Sequence, residues 1–289
     1  MMAENTTMDR NLTIEAVRVT EAAAIAAAEV MGRGDEKLAD QAAVDAMRTA
    51  LNRLQIAGTV VIGEGERDEA PMLFIGEEVG SGDGPKIDIA LDPLEGTTIT
   101  AKGMPNGLAV LALSDAGGLL NAPDVYMDKI AAGPDVPADA IDLDNTAAEN
   151  INNVAEAVGK DPNDVVACIL DRPRHAEMIS SVREAGARII LIGDGDVAGV
   201  MATAMPETNI DIYMGTGGAP EGVLAAAALR CIGGNIQGRL LFRNDDERGR
   251  AAKVGVEDLN RKYAITAVSY THLRAHETRH DLVCRLLLE

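Results

Sequence analysis

The sequence predicts a mixed α/β protein in two parts, and three observations predict it. Apolar residues recur at helical spacing through residues 14–54, and short apolar, β-branched runs punctuated by Gly, Pro and Asp fill residues 59–113. From Thr146 onward strand-like and helix-like segments alternate, the pattern of a parallel sheet flanked by helices. A chain of 289 residues with 47% hydrophobic content is long enough to bury one large core or two ordinary ones.

Ile14, Val17, Ala24, Ala28 and Met31 fall on one helical face, with Asn11 or Thr13 as the cap and the glycines at 32 and 34 as the stop. A second helix is expected after Asp40, carrying Ala43, Val44, Met47, Leu51 and Leu54 and closed by Gly58. Strands follow at Thr59–Ile62, Leu73–Val79, Ile87–Leu91 and Leu108–Leu113. The Gly-, Pro- and Asp-rich stretch from Asp115 to Leu143 reads as a long loop and a domain joint. The expected division is therefore an N-terminal α+β subdomain over residues 1–143 and an α/β subdomain over 144–267, with 268–289 set apart as a tail.

Beyond the joint, Thr146 and Glu149 have the spacing of a capping box for a helix running to Val158. Strands are expected at Val165–Leu170, Arg188–Ile192 and Asp211–Met214, each followed by a helix, the last opening at Pro220. Ligands of such sheets gather beyond the carboxyl ends of the strands. Here those ends carry Asp171 to His175, Gly193 to Asp196 and Gly215 to Glu221.

Aromatic residues make up only 2% of the chain and Trp is absent, so the 12 Met are expected in the core. A net charge of −20, with no cluster of Lys or Arg interleaved with aromatics, argues against a nucleic-acid partner. Cys168, Cys231 and Cys284 are too few and too scattered for a disulfide framework or a metal knot. Neither a leader segment nor an uncharged apolar run of about eighteen residues is visible, so a cytoplasmic protein without a membrane partner is expected.

Asp92-Pro93-Leu94-Glu95-Gly96-Thr97 puts two carboxylates on a Pro- and Gly-shaped turn, an oxygen-rich arrangement suited to hard cations. Gly63-Glu64-Gly65-Glu66 exposes a carboxylate at the end of the neighbouring strand; alone it reads as an acidic turn. Arg172-Pro173-Arg174-His175 offers two guanidiniums suited to a phosphate, with His175 as a helix start rather than a ligand or base. Gly193-Asp194-Gly195-Asp196 fits a cation loop, a sugar-hydroxyl clamp or a helix cap, and spacing does not choose among them. Thr216-Gly217-Gly218-Ala219-Pro220-Glu221 sets glycine amides at a helix N-terminus, an arrangement that favours anions. No nucleophile elbow, P-loop or Cys/His pair is present before the tail, which leaves metal-activated water as the chemical route.

Taken together, GEGERDEAPM from Gly63, DPLEGT from Asp92, NAPDVYM from Asn121, RPRH from Arg172, DGDVA from Asp194 and GTGGAPEG from Gly215 resemble the class II fructose-1,6-bisphosphatases. Some members of that family also cleave sedoheptulose-1,7-bisphosphate. The resemblance runs from about Leu12 to Ala264 in one order. It implies the layered α/β/α/β/α sandwich of the lithium-sensitive phosphatases, with the active site between two subdomains, and a homo-oligomer in the intact family member. By the same resemblance Asp40 and Glu64 would bind one Mg²⁺ or Mn²⁺, and Asp92, Glu95 and Glu221 another, with the Leu94 carbonyl as a further ligand. Glu95, Gly96, Thr97, Tyr126, Arg172, Pro173, Arg174, Asp194, Gly195, Asp196 and Gly218 would contact a sugar bisphosphate, and Asp40 with Thr97 would orient and deprotonate the attacking water. Hydrolysis of the 1-phosphate of fructose-1,6-bisphosphate is the expected activity. An inositol- or other monophosphatase of the same superfamily, or an inactive phosphosugar-binding module, are the alternatives.

The resemblance breaks near Ile265. Val268 to Thr278 resembles a translated transposase-end sequencing adapter, and three of the four His residues, His272, His276 and His280, lie in this tail. Without the family's further strands, an open sheet edge and uncovered apolar surface are expected.

Overall fold

A computed structural model describes residues 10–64, 73–268 and 283–287. Helix α1 spans Arg10–Val30, so both expected caps, Asn11 and Thr13, lie inside it. Helix α2 spans Glu36–Leu51 and begins before Asp40, because Asp35 caps it by accepting from the Leu38 amide at 3.0 Å. It ends at Asn52, and Gly58 belongs instead to strand β1, Ala57–Ile62. Of the strand expected over Leu73–Val79 only β2, Glu78–Val79, forms. The Glu77 amide bonds the Phe74 carbonyl, and the Glu77 carboxylate bonds the Phe74 amide, closing a turn where the apolar run suggested extension. Strand β3 covers Lys86–Glu95, carried past Pro93 by a register shift between Asp92 and Glu95; α3 (Thr97–Ala101) and β4 (Leu108–Asp115) follow.

The expected loop from Asp115 to Leu143 contains β5, Tyr126–Ala132, a strand interior to its sheet. Its alternation is masked because Lys129, which reads as a surface residue, is buried at 1% exposure. The chain accordingly divides earlier than expected, into one unit of Met1–Leu119 with Thr271–Glu289 and another of Leu120–Tyr270. The second unit continues with α4 (Ala147–Val158), β6 (Val166–Leu170), α5 (Ala176–Glu184), β7 (Arg188–Ile192), α6 (Asp196–Ala202) and β8 (Ile212–Gly218). It closes with α7 (Ala219–Ile232), β9 (Asn235–Leu241), α8 (Asp245–Lys253), β10 (Lys262–Ala264) and α9 (Ile265–Val268). Strand β11, Val283–Leu287, returns to the first unit.

The capping box on α4 forms as predicted: Thr146 Oγ1 accepts from the Glu149 amide at 3.2 Å, and the Glu149 carboxylate accepts from the Thr146 amide at 2.7 Å. Thr146→Ala is expected to cost about 1 kcal/mol of stability. Chemical denaturation compared with the parent chain measures that loss.

In the first unit the sheet order is β11-β4-β3-β1-β2, with β1 and β3 parallel and β4 antiparallel to β3. Helices α1 and α2 bury Val19, Ala23, Met47 and Leu51 against Val60, Ile89 and Leu111, giving a helical layer on a sheet. Strand β4 is paired by β11 over Val283↔Ala112 to Leu287↔Leu108.

In the second unit the order is β10-β9-β5-β8-β6-β7. Only the β8–β6 and β6–β7 pairings are parallel; β5 is antiparallel to both β8 and β9, so the sheet is mixed rather than all parallel. Ala167 and Ile169 pack with Val154 and Val182 of α4 and α5, while Cys168 and Tyr213 meet Gly199 of α6. This is a sheet with helices on both faces. Each unit by itself is a layered α/β body, the class the sequence predicts. Uncovered apolar surface lies on the edge strand β7, where Ile190 and Leu191 are exposed.

Candidate active site

In the first unit, β1 and β3 are parallel, so their carboxyl ends share one end of the sheet. Glu64 follows β1, and its amide bonds the Leu73 carbonyl at 2.9 Å. Gly63 must be glycine there, because a Cβ would stand 2.2 Å from that carbonyl oxygen. Gly65 and Glu66 lie outside the described residues. On β3, Asp92 accepts from the Leu94 amide at 3.0 Å, which folds the bulge around Pro93, and Glu95 is buried. Gly96 then takes a left-handed conformation, φ 92°, turning the chain into α3 with Thr97 at its start. The loop before α2 is tied to α3 by the bonds Gly32 N to Thr100 O (3.0 Å) and Gly34 N to Ala101 O (2.8 Å), placing the N-terminal end of α2 beside α3. Asp40 lies in the second turn of α2, and burial pushes its carboxyl above the ordinary carboxylate range.

In the second unit, β6, β7, β8 and β9 all point one way and β5 points back. One rim of the sheet therefore gathers four strand ends and the beginning of β5, which is Tyr126. His175 is the keystone of this rim. Its Nδ1 is 2.7 Å from the Leu170 carbonyl and its Nε2 accepts the Thr216 amide at 2.8 Å, so the ring is a neutral tautomer protonated at Nδ1. It is structural, as its place before α5 suggested.

The two arginines beside it turn to different partners. Arg172 reaches the loop after β7, bonding the Gly193 carbonyl and meeting the Asp194 carboxylate at 3.5 Å. Arg174 bonds the Thr216 carbonyl through Nε (3.0 Å) and Nη2 (2.7 Å), and its guanidinium lies 5.1 Å over the Tyr126 ring. Pro173 opens the short turn between them. Thr216 also donates its hydroxyl to Asp128, its cross-strand neighbour.

Below the arginines sits an acid pair around a buried lysine. Lys129 donates to Asp196 Oδ2 and, at 2.8 Å, to the Gly218 carbonyl. Asp196 opens α6 behind the left-handed Gly195, φ 85°, so of the roles open to the Gly193–Asp196 segment the helix cap falls to Gly195 and not to Asp194. Glu221, in the first turn of α7, is partly exposed as a residue, but its Oε2 is sealed from solvent with no hydrogen-bond partner. Burial, followed by the neighbouring Asp196 charge, holds its carboxyl above the ordinary range against the pull of Lys129.

The glycines here make room rather than an amide cradle. A Cβ on Gly217 would stand 2.0 Å from Asp196 Oδ2, and one on Gly218 1.9 Å from Glu221 Oε2. The Thr216 amide is engaged by His175 and the Ala219 amide by the Val125 carbonyl, so the anion pocket expected from glycine amides is partly filled by the fold itself.

The sequence model of the family described as "Bacterial fructose-1,6-bisphosphatase, glpX-encoded" matches residues 10–271. Fructose-1,6-bisphosphatase 1 class 2 of Escherichia coli (strain K12) is 50% identical over 258 residues, which are 88% of this chain and 76% of that protein. The fructose-1,6-bisphosphatase class 2 of Shigella flexneri matches to the same extent. The chain belongs to the class 2 fructose-1,6-bisphosphatase family. A solved structure of an extragenic suppressor from Pyrococcus furiosus aligns with a TM-score of 0.36 and 15% identity over 68% of this chain and 72% of that one, too slight a likeness to bear on the fold.

Class 2 fructose-1,6-bisphosphatases are metal-dependent phosphatases acting on a sugar bisphosphate. Among the described residues no three His, Cys, Asp or Glu are gathered into one metal-holding group. The donor set nevertheless fits hard cations: it is made of carboxylates, and Glu221 Oε2 is a sealed acid oxygen that no protein donor satisfies. Among the described residues no helix is long and apolar enough to cross a membrane.

Two residues at this rim escaped the sequence reading. Lys129 could have been found only by recognising β5 as a strand, which would have turned its side chain inward. Arg243, two residues past β9, lies with its guanidinium 4.8 Å over Tyr126, and β5–β9 pairing, invisible in the sequence, brings it there.

Proposed function

We propose that this chain removes the 1-phosphate of fructose-1,6-bisphosphate using Mg²⁺ or Mn²⁺, with sedoheptulose-1,7-bisphosphate as a second substrate. The observation that carries this reading is the sealed, unpartnered Oε2 of Glu221 on the same rim as the Arg174 guanidinium over Tyr126. A carboxylate oxygen without a protein donor suits a cation, and a guanidinium presented on an aromatic ring suits a phosphate. A sugar with two phosphates uses both.

Asp40, Glu64, Asp92, Glu95, the Leu94 carbonyl and Glu221 would supply the cations with oxygen ligands. When bound, such cations lower the pKa of water and neutralise charge on the phosphoryl oxygens. Asp40 and Thr97 would orient and deprotonate the attacking water. Burial holds the Asp40 carboxyl above the ordinary carboxylate range, the direction that makes a carboxylate a stronger base. Asp194 and Asp196 would hold sugar hydroxyls, and Arg172 and Arg174 the phosphate that stays, so that remote binding energy fixes the reacting end.

Release of phosphate from fructose-1,6-bisphosphate should appear with Mg²⁺ or Mn²⁺, vanish with a chelator and return when cation is restored. Glu64→Ala should abolish turnover with an unchanged circular dichroism spectrum. Metal-independent release would overturn the chemistry, and normal turnover of the variant would overturn the ligand assignment.

A further inference from the structure

We infer that Arg243 is a phosphate-binding residue of this site: its guanidinium and that of Arg174, both seated over the Tyr126 ring, form a two-arginine clamp for the phosphate monoester that is not cleaved. The inference rests on the sugar-bisphosphate reading above and assigns the retained phosphate a partner that the family-like motifs do not contain.

The geometry begins with strand pairing. Tyr126 is the first residue of β5 and stands opposite Gly218 on β8 and Leu241 on β9. The ring is thereby set between the ends of two strands. Arg174 arrives from the turn after β6, with its Cζ 5.1 Å from the ring centroid, and Arg243 arrives from the exit of β9, at 4.8 Å. Two guanidiniums packed on one small ring gather positive charge at this rim, which a bound anion would compensate.

Both side chains are held in place. Arg174 is fixed by a carbonyl, which leaves its charge uncompensated; among the described residues no carboxylate pairs with it. Arg243 is anchored by Glu247, a residue with no exposure, which accepts from both the Arg243 amide and its Nε at 2.6 Å. That grip takes the Nε and Nη2 edge of the fork and leaves the side chain 60% exposed. Asp124 and Glu247 both lie near Arg243, and Arg250 lies near Glu247 as well, so the acid charge is divided between two arginines. A flexible side chain restrained at the surface with its free edge outward is preorganised for a bidentate oxyanion.

The test is binding of fructose 6-phosphate, which carries the retained phosphate and needs no turnover, measured calorimetrically on the full chain and on Arg243→Gln. Loss of one charge-assisted guanidinium contact predicts a Kd raised about 10- to 100-fold, with partial recovery in Arg243→Lys. In turnover the preference for fructose-1,6-bisphosphate over fructose 1-phosphate should fall by a similar factor. An unchanged Kd in Arg243→Gln, or no binding of fructose 6-phosphate by the parent chain, overturns the clamp. Binding that behaves as expected in a chain that releases no phosphate from the bisphosphate would instead overturn the hydrolytic reading and leave the clamp standing.

Discussion

Replacing Glu221 by Gln should abolish phosphate release while leaving the chain as stable as before or more so. The sealed Oε2 has no hydrogen-bond partner, and burial together with Asp196 raises the carboxyl's pKa. A carboxyl whose folded pKa is raised contributes stability that is present at low pH and lost as pH rises from the ordinary carboxylate range through the raised value. Wherever pH ionises this side chain it is therefore a burden that an amide of the same shape lifts. The gain in thermal midpoint should grow with pH across that window. Activity should move the opposite way. Groups that merely support a metal ligand cost about 10- to 100-fold when removed, so loss of a ligand itself should exceed about a hundredfold. Thermal unfolding across pH, beside a phosphate-release assay, reads both. A variant that is less stable and fully active would show that Glu221 is a structural acid.

Lys129→Met should have the reverse character, a large loss of stability. Its ammonium is inaccessible and bonds Asp196 and the Gly218 carbonyl between two strands and a helix. Truncating one partner of a buried pair leaves the other charge without compensation, at a cost of about 3–5 kcal/mol. Here two acids lose their counter-charge, Asp196 by direct contact and Glu221 by proximity. Adding Asp196→Asn to Lys129→Met removes the stranded charge and should recover more than half of that loss. Urea unfolding of the single and double variants measures the coupling. If the single variant unfolds at the same midpoint as the parent chain, the pair does not hold the rim together.

Much of the fold was legible because it depends on local rules. Thr146 and Glu149 announce a helix start whatever surrounds them, and Pro220 fits a first turn wherever that helix packs. Strand misreadings came from side chains whose roles are set at a distance. Phe74 looked extended until Glu77 closed a turn on it, and β5 was hidden because Lys129 reads as a surface residue unless Asp196, far along the chain, is waiting for it. Asp40 seemed to precede a helix that in fact starts at Glu36, since Asp35 and Asp40 are equally able to cap and only the observed bond chooses.

By itself the sequence determined the α/β class, the family and the acidic and basic motifs at the strand ends, since periodicity, caps and motif order are properties of neighbouring residues. Tertiary structure alone decided that β5 runs antiparallel between β8 and β9, that Gly217 and Gly218 give room to carboxylates rather than amides to an anion, and that Arg174 and Arg243 both pack on Tyr126 while Arg172 bonds the Gly193 carbonyl. Register between strands far apart in the chain fixes those meetings. No local pattern encodes register, because it is set by which buried faces and charges satisfy one another once the sheet has formed.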